Sequence, residues 1–498
     1  MQKETKLVPV MAALILGIFV ASLDNTIVAT SMGSIIGDLG GLDKYVWVTS
    51  AYLVSEMAGM PIFGKLSDMY GRKRFYMIGI LLFLAGSMLC GTAQTIVQLC
   101  VFRAIQGIGG SALMPIAFTI IWDVVPMEKR GKLSGVFGAI FGLSSIVGPL
   151  LGSFITDNFH WRWIFYINIP IGLIALFLIL TFYNESKRHT HQNIDWLGAI
   201  LLVGFSVSLM FGLELGGGTY AWDSWQIISL FVLAVSCFVI FMWVEKTVKD
   251  PILPFALFKE RLYTSSALIG MFYGAAFMVS TVYIPLYIQG VTGGTATNSG
   301  LLLLPMMVGT SIGAPIGGAL ANKISYKRIM IMSGIVMGIG TYFLTTLEPN
   351  TPRWMLTIYM FIVGIGVGPS FSVLSMASLQ KALPQQRGIA SSTSNFLRSL
   401  GMTLGITIFG VIQKNSFSAG LPESLKQGGL GKDSRALLSP QLRSHIPPDI
   451  LNHITEVLTN SITTTFLWTF VPLVISFVFI LFMSKEKLSD AKRQQQAG

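Results

Sequence analysis

Apolar runs about twenty residues long recur from Leu7 to Met483, and this feature limits the chain more than any other. A helix rises about 1.5 Å per residue, so about twenty residues cross a hydrocarbon core about 30 Å thick. Inside that core only helices and closed barrels satisfy every backbone polar group. Barrel strands would alternate apolar and polar over about ten residues, and these runs do not. Charged residues make up 11% of the chain, against about 25% in soluble domains. The chain therefore reads as an all-α integral membrane protein. Cys90, Cys100 and Cys237 lie within apolar runs, and an odd count in that setting argues against a disulfide framework. The first run has no small-residue cleavage site and extends through Asp24, so it reads as a retained spanning helix rather than a secretory leader.

The runs give fourteen expected spans: 7–31, 45–64, 75–93, 96–121, 132–155, 163–183, 195–214, 225–245, 263–289, 299–320, 328–347, 354–379, 388–413 and 461–483. An even number puts both termini on one side. The segments on that side carry 24 of the 34 Lys and Arg residues, those on the other side carry 8, and Arg103 and Arg398 lie within spans. Cytoplasmic loops hold the excess of positive charge, so both termini are expected in the cytoplasm of a multi-pass cell-membrane protein. The net charge of +11 then decorates loops and does not indicate a nucleic-acid partner.

The chain repeats itself. Gly64 to Arg74 matches Gly318 to Arg328 at an offset of 254 residues, and Arg130-Gly131 matches Arg387-Gly388 at an offset of 257. Two parallel copies of a six-helix unit are the pattern of transporters that rock two bundles about a site near the bilayer midplane. The expected organisation is an N-terminal bundle over 1–190, an inserted two-helix hairpin over 191–250, and a C-terminal bundle over 251–413 and 461–498. An outer loop over 414–460 completes it. A monomer is expected.

Five local patterns then carry a resemblance. Gly64 to Arg74 forms a glycine-bounded basic loop after helix two. Leu99 to Gly110 contains Arg103, Gln106, Gly107, Gly109 and Gly110. Helix five spaces Gly138, Gly142, Gly148, Pro149 and Gly152. Helix one has Leu23-Asp24-Asn25, and helix six opens Trp161-Arg162-Trp163 before Asn168 and Pro170. In this order and at these spans, the chain resembles the fourteen-helix drug:proton antiporter family of the major facilitator superfamily. The resemblance implies the major facilitator fold, two six-helix bundles plus an inserted hairpin. It also implies proton-coupled export of lipophilic, often cationic compounds by alternating access. The sequence departs from the family pattern at Ser153, at Ala29 to Met32, and at Asn322, which stands where the second loop would carry an acid.

The site expectations follow. Asp24 and Arg103 each lie about seven residues from the outer end of their expected span, roughly 10 Å deep, and Glu56 lies nearer the middle of helix two. A charge at mid-membrane costs roughly 2.5–3.5 kcal/mol on insertion scales and marks function by default. Desolvation raises a carboxyl pKa and a neighbouring Arg lowers it, so a carboxyl exposed to each side in turn can load and release a proton. Asp24 is expected as the main coupling carboxylate and Glu56 as a second coupling or cation-recognition site, with Arg103 tuning one of them. The competing reading is that Asp24 and Arg103 only pair to hold helices together.

The gate is expected in Gly64, Asp68, Gly71, Arg72 and Asp123. Asp68 and Arg72 share a face if helix two extends that far, and Asp123 is the expected partner of Arg72. The resemblance implies that Asp68 caps a helix of the other half, which here begins near Arg387. Gly138, Gly142, Gly148 and Gly152 let helices touch closely, and Pro149 bends helix five. Arg398 has no acid near it in sequence and is expected to meet an anionic substrate or a distant acid.

No catalytic, cofactor or metal-binding constellation is present in the sequence, and there is no phosphate-binding loop with Gly-Lys-Ser/Thr. The expected partners are small molecules, protons and lipid. A dedicated exporter of one metabolite, lipid or peptide shares every motif with a multidrug exporter. A receptor-like protein that has lost transport is the third reading.

Overall fold

The computed structural model describes residues 5–40, 45–185, 195–217, 220–293, 296–421 and 448–490. The N-terminal helices are α1 (Leu7–Leu39), α2 (Tyr45–Tyr70), α3 (Arg72–Thr92), α4 (Ile96–Val124), α5 (Met127–Asn158), α6 (Trp163–Tyr166) and α7 (Asn168–Phe182). The hairpin is α8 (Trp196–Leu215) and α9 (Trp225–Thr247), and a short α10 (Phe255–Lys259) leads onward. The C-terminal helices are α11 (Arg261–Gly290), α12 (Ala296–Leu320), α13 (Tyr326–Thr345), α14 (Arg353–Gln380), α15 (Arg387–Gly420), α16 (Pro448–Trp468) and α17 (Phe470–Phe482). Among the described residues thirteen segments are long and apolar enough to cross a membrane, with α6–α7 and α16–α17 each acting as one. The fourteenth expected span is α2. It is 26 residues long, but Glu56, Lys65 and Asp68 lower its mean hydropathy.

The packing repeats as the sequence does. In the N-terminal half α4 packs on α2 and α3, and α1 packs on α5, α4 and α7. In the C-terminal half α14 packs on α12 and α13, and α11 packs on α15, α14 and α17. The halves meet through two matching pairs, α2 with α15 and α5 with α12. Helix for helix, this is a pseudo-two-fold arrangement.

Among the described residues the closest contacts between the halves lie towards one end and reach to mid-helix. We call that end the basic face, because it carries the α2–α3, α4–α5 and α12–α13 turns and their Lys and Arg residues. Near this face Gly64 of α2 lies against Ser392 and Gly388 of α15, and Gly131 of α5 lies against Gly318 of α12. Towards the other face the same four helices turn to their own halves. Gly148 and Gly152 of α5 pack on Thr26, Ile27 and Thr30 of α1, and Gly401 and Gly405 of α15 pack on Met271 and Ala275 of α11. The helix-five glycines therefore divide. Gly138 and Gly142 meet Ala314, Ser311 and Met307 across the interface, whereas Gly148 and Gly152 hold α5 to α1.

The hairpin packs by α8 against α2 and α15. On α9, Ile228, Val232, Val235 and Val239 form an exposed apolar stripe at helical spacing, suited to lipid. Several helices outrun their expected spans. α1 continues to Leu39, which puts Asp24 near its middle rather than close to one end. α15 continues to Gly420 and α16 starts at Pro448, so helix ends intrude on the expected 414–460 loop. Burial explains both extensions. Phe417 and Leu421, and Ile454 and Leu458, are fully or almost fully buried, and Gly290 and Gly420 let α11 and α15 approach Leu458 and Val457. Residues 422–447 of that loop lie outside the described residues.

Candidate functional site

Two polar clusters occupy this frame, one within the N-terminal half and one at the basic face.

The first centres on Asp24 and Arg103, both fully buried and in direct ion contact. Asp24 Oδ1 also accepts from Gln106 Nε2 at 2.8 Å and from Asn168 Nδ2 at 2.9 Å. Arg103 donates to Gln106 Oε1 at 2.8 Å and to the Val48 carbonyl at 3.4 Å. Its guanidinium lies 4.3 Å from the centre of the Tyr52 ring. Asn168 further donates to Ser87 Oγ at 3.0 Å, and Ser87 donates to the Phe165 carbonyl at 2.8 Å. Three helices, α1, α4 and α7, thus meet at one carboxylate. A buried charge is tolerated only when paired and hydrogen-bonded, and Asp24 is both.

Glu56 lies one turn beyond Tyr52 on α2. It is partly exposed where Asp24 is sealed, and the Asn25 side chain hydrogen-bonds it. The structure therefore brings Asp24 and Arg103 together and keeps Glu56 beside them without an ion pair. Gln106 and Asn168 were named in the sequence as parts of motifs but not as partners of Asp24. Gln106 follows Arg103 by three residues, a same-face spacing that could have assigned it. Nothing in the sequence could have assigned Asn168 or Tyr52.

The second cluster joins the halves at the basic face. Asp68 accepts two α15 amides, Gly388 N–H on Oδ1 and Ile389 N–H on Oδ2, each at 2.9 Å. An anion at a helix N-terminus gains from the orphan amides and from the helix dipole. Arg72 contacts Asp68 at 3.2 Å, pairs with Asp123 and donates to the Pro384 carbonyl at 2.5 Å. Arg387 binds the other oxygen of Asp123 at 2.9 Å. Asp68 and Arg72 do not share a helix face as expected. α2 ends at Tyr70, and Gly71, at φ 106°, turns the chain so that Arg72 starts α3. That φ is open to glycine and strained for other residues. Glu185, which the sequence did not single out, closes this turn by accepting the Arg72 and Lys73 amides at 2.6 and 3.2 Å.

The matching contact in the other pair is weaker. Asn322, in the turn after α12, donates to the Glu128 carbonyl at 3.3 Å. A Cβ on Gly388 would stand 2.5 Å from the Gly64 carbonyl oxygen and 2.7 Å from Asp68 Oδ1. Gly388→Ala is therefore expected to wedge the two helices apart. Transport should fall to a small fraction of normal while the protein still reaches the membrane, measured as dye export normalised to membrane protein.

Arg398 is buried in the C-terminal half. It donates to the Ser370 carbonyl at 3.0 Å and lies 4.6 Å over the Phe371 ring, and no described acid pairs with it. Phe371 also stacks on Phe141 of the other half at 5.2 Å.

Two repeated helical halves, joined at one face by ion pairs and a helix cap and holding ionisable groups among spanning helices, are the architecture of a membrane transporter. The family model of the Major Facilitator Superfamily matches residues 14–198 and 196–406. The chain belongs to that superfamily. It is 50% identical over 496 residues to Multidrug resistance protein 3 of Bacillus subtilis (strain 168), covering 98% of this chain and 96% of that one. It is 37% identical to the multidrug transporter protein MdtP of the same organism, covering 99% and 96%. Among solved structures, the proton:xylose symporter XylE matches with a TM-score of 0.61 at 14% identity, covering 97% of this chain and 98% of that one. The human organic anion transporter MFSD10 matches with a TM-score of 0.59 at 15% identity, covering 93% and 99%. At such identities the two structures speak for the fold alone. The chain is thus a transporter with the expected fold, and not an enzyme.

Proposed function

We propose that this chain is a proton-coupled exporter of lipophilic, often cationic drugs, working by alternating access across the cell membrane. The 24-to-8 division of Lys and Arg supports a cytoplasmic basic face and cytoplasmic termini. The rocking units are the bundles 1–190 and 251–413 with 461–498, and the hairpin 191–250 rides beside α2. The contacts between halves at the basic face then correspond to a closed cytoplasmic gate. Asp68, Arg72, Asp123 and Arg387 form the latch, and Gly64, Gly71, Gly138 and Gly142 permit its close approach. Two relatives at 50% and 37% identity carry multidrug names, which supports the substrate class.

The observation that carries the coupling reading is the contrast between the two carboxylates of the N-terminal half. Asp24 is fully buried and shares its oxygens among three side-chain donors. Protonating it would strand Arg103. Glu56 is partly exposed, hydrogen-bonded by the neutral Asn25 and near the charges of Arg103 and Asp24 without an ion pair to either. Glu56 is therefore the carboxylate that exchanges protons and meets cations. Asp24 and Arg103 form the fixed polar frame around it. Arg398 keeps the facing half positive, so a cation settles on the Glu56 side.

In an efflux-deficient cell, the wild-type chain is expected to protect against several unrelated lipophilic cations. A protonophore should abolish that protection. Protection against none of a broad dye and biocide panel would sink the multidrug reading. Protection that ignores the protonophore would sink the proton reading.

A further inference from the structure

Arg130 lies in the first turn of α5 and Arg387 is the first residue of α15, and the two stand at matching places in the repeat. Arg387 has its acids, with Asp123 bound at 2.9 Å and Asp68 on the next two amides. Arg130 lacks their counterparts. The residue matching Asp68 is Asn322, and α14 carries no acid between Pro369 and its end at Gln380. Arg130 donates from Nε to the Val125 carbonyl at 3.0 Å. Glu128, two positions earlier on α5, offsets only part of that positive charge, because residues two apart do not face each other on a helix. Yet Arg130 is only 9% exposed and Arg387 only 8%. Arg130 Nη1 and Arg387 Nε have no hydrogen-bond partner. The guanidiniums lie 4.7 Å and 5.9 Å from the centre of the same Trp122 ring. Both line a cavity of about 580 Å³ at the basic face.

The acids lining that cavity already have partners, and Arg387 keeps its Nε without one. Asp68 caps α15, Asp123 binds Arg72 and Arg387, and Glu185 accepts the first amides of α3. A buried guanidinium with unfilled donors favours an anion of matching geometry, and phosphate oxygens accept from two arginines at once.

We propose that this cavity is a binding site for a phosphate-bearing anion, held between Arg130 and Arg387 beside Trp122. The bound anion stands in for the acid that the second half lacks, and it stabilises the closed gate. The same chemistry occurs in soluble phosphate compounds and in anionic lipid headgroups.

The test uses the purified full chain in phosphatidylcholine nanodiscs, titrated with inorganic phosphate and with glycerol 3-phosphate, with Tm read at each step. A second arm replaces part of the lipid with phosphatidylglycerol. A rise in Tm with a soluble probe supports the site with a soluble source, and a rise only with phosphatidylglycerol supports it with a lipid source. Arg130→Gln is expected to weaken the response at least about tenfold. Asn322→Asp keeps Arg130 and supplies an internal carboxylate at the α5 N-terminus, so it should also abolish the response without lowering the starting Tm. No response to any probe overturns the proposal. So does a wild-type response in both variants.

Discussion

Replacing Arg103 with Ala is expected to destabilise the folded protein by about 3–5 kcal/mol and to abolish transport, because it leaves Asp24 buried and uncompensated. Removing one partner of a buried pair is far more damaging than removing both. Gln106 and Asn168 would still donate to Asp24, but neither carries the charge it needs. Asp24→Asn combined with Arg103→Gln should therefore recover much of the lost stability and none of the transport. Tm and monodisperse yield report the first effect, and dye export the second. A single Arg103→Ala variant as stable as wild type would contradict the sealed-pair account.

Asp68→Asn is the second large effect. An ionised acceptor makes hydrogen bonds worth about 1.5–3 kcal/mol each, and Asp68 receives two from α15 besides its contact with Arg72. An amide can accept with only one of its two termini, and it brings no charge to the α15 N-terminus. A loss of about 1.4 kcal/mol already changes the ratio of closed to open gate tenfold. Transport is expected to fall below about a tenth of normal on that scale. Spin labels on α2 and α15 at the basic face should report a longer mean distance. An unchanged distance distribution would remove Asp68 from the latch. Asn322→Ala, at the weaker matching contact, should cost far less.

Much of the fold was legible because a bilayer reduces folding to a length and a composition. The spans, the repeat between Gly64 and Gly318, and the excess of basic loops all stood in the sequence. The depth of Asp24 did not, because α1 runs on to Leu39. What could not be read is which way each helix turns its residues. Asp24 and Glu56 are both carboxylates in apolar runs, and only the rotation of α1, α2 and α4 makes one sealed and the other accessible. The helix-five glycines form one motif on paper, yet α5 crosses from the interface to α1 along its length and divides them. The turn at Gly71 separates Asp68 from Arg72 onto different helices, and their contact survives because the turn folds back. Local spacing could not report that Asn322 differs in consequence from Asp68, since the consequence falls on Arg130 in the other half.

Glu56 as the proton carrier is the central claim. It is tested most directly in proteoliposomes with an imposed pH gradient and a pH dye in the lumen, to which a transported lipophilic cation is added. The wild-type chain should dissipate the gradient only when drug is present. Glu56→Gln should fold normally and release no protons on drug addition. Drug-dependent proton flux at wild-type rates in Glu56→Gln would contradict the account.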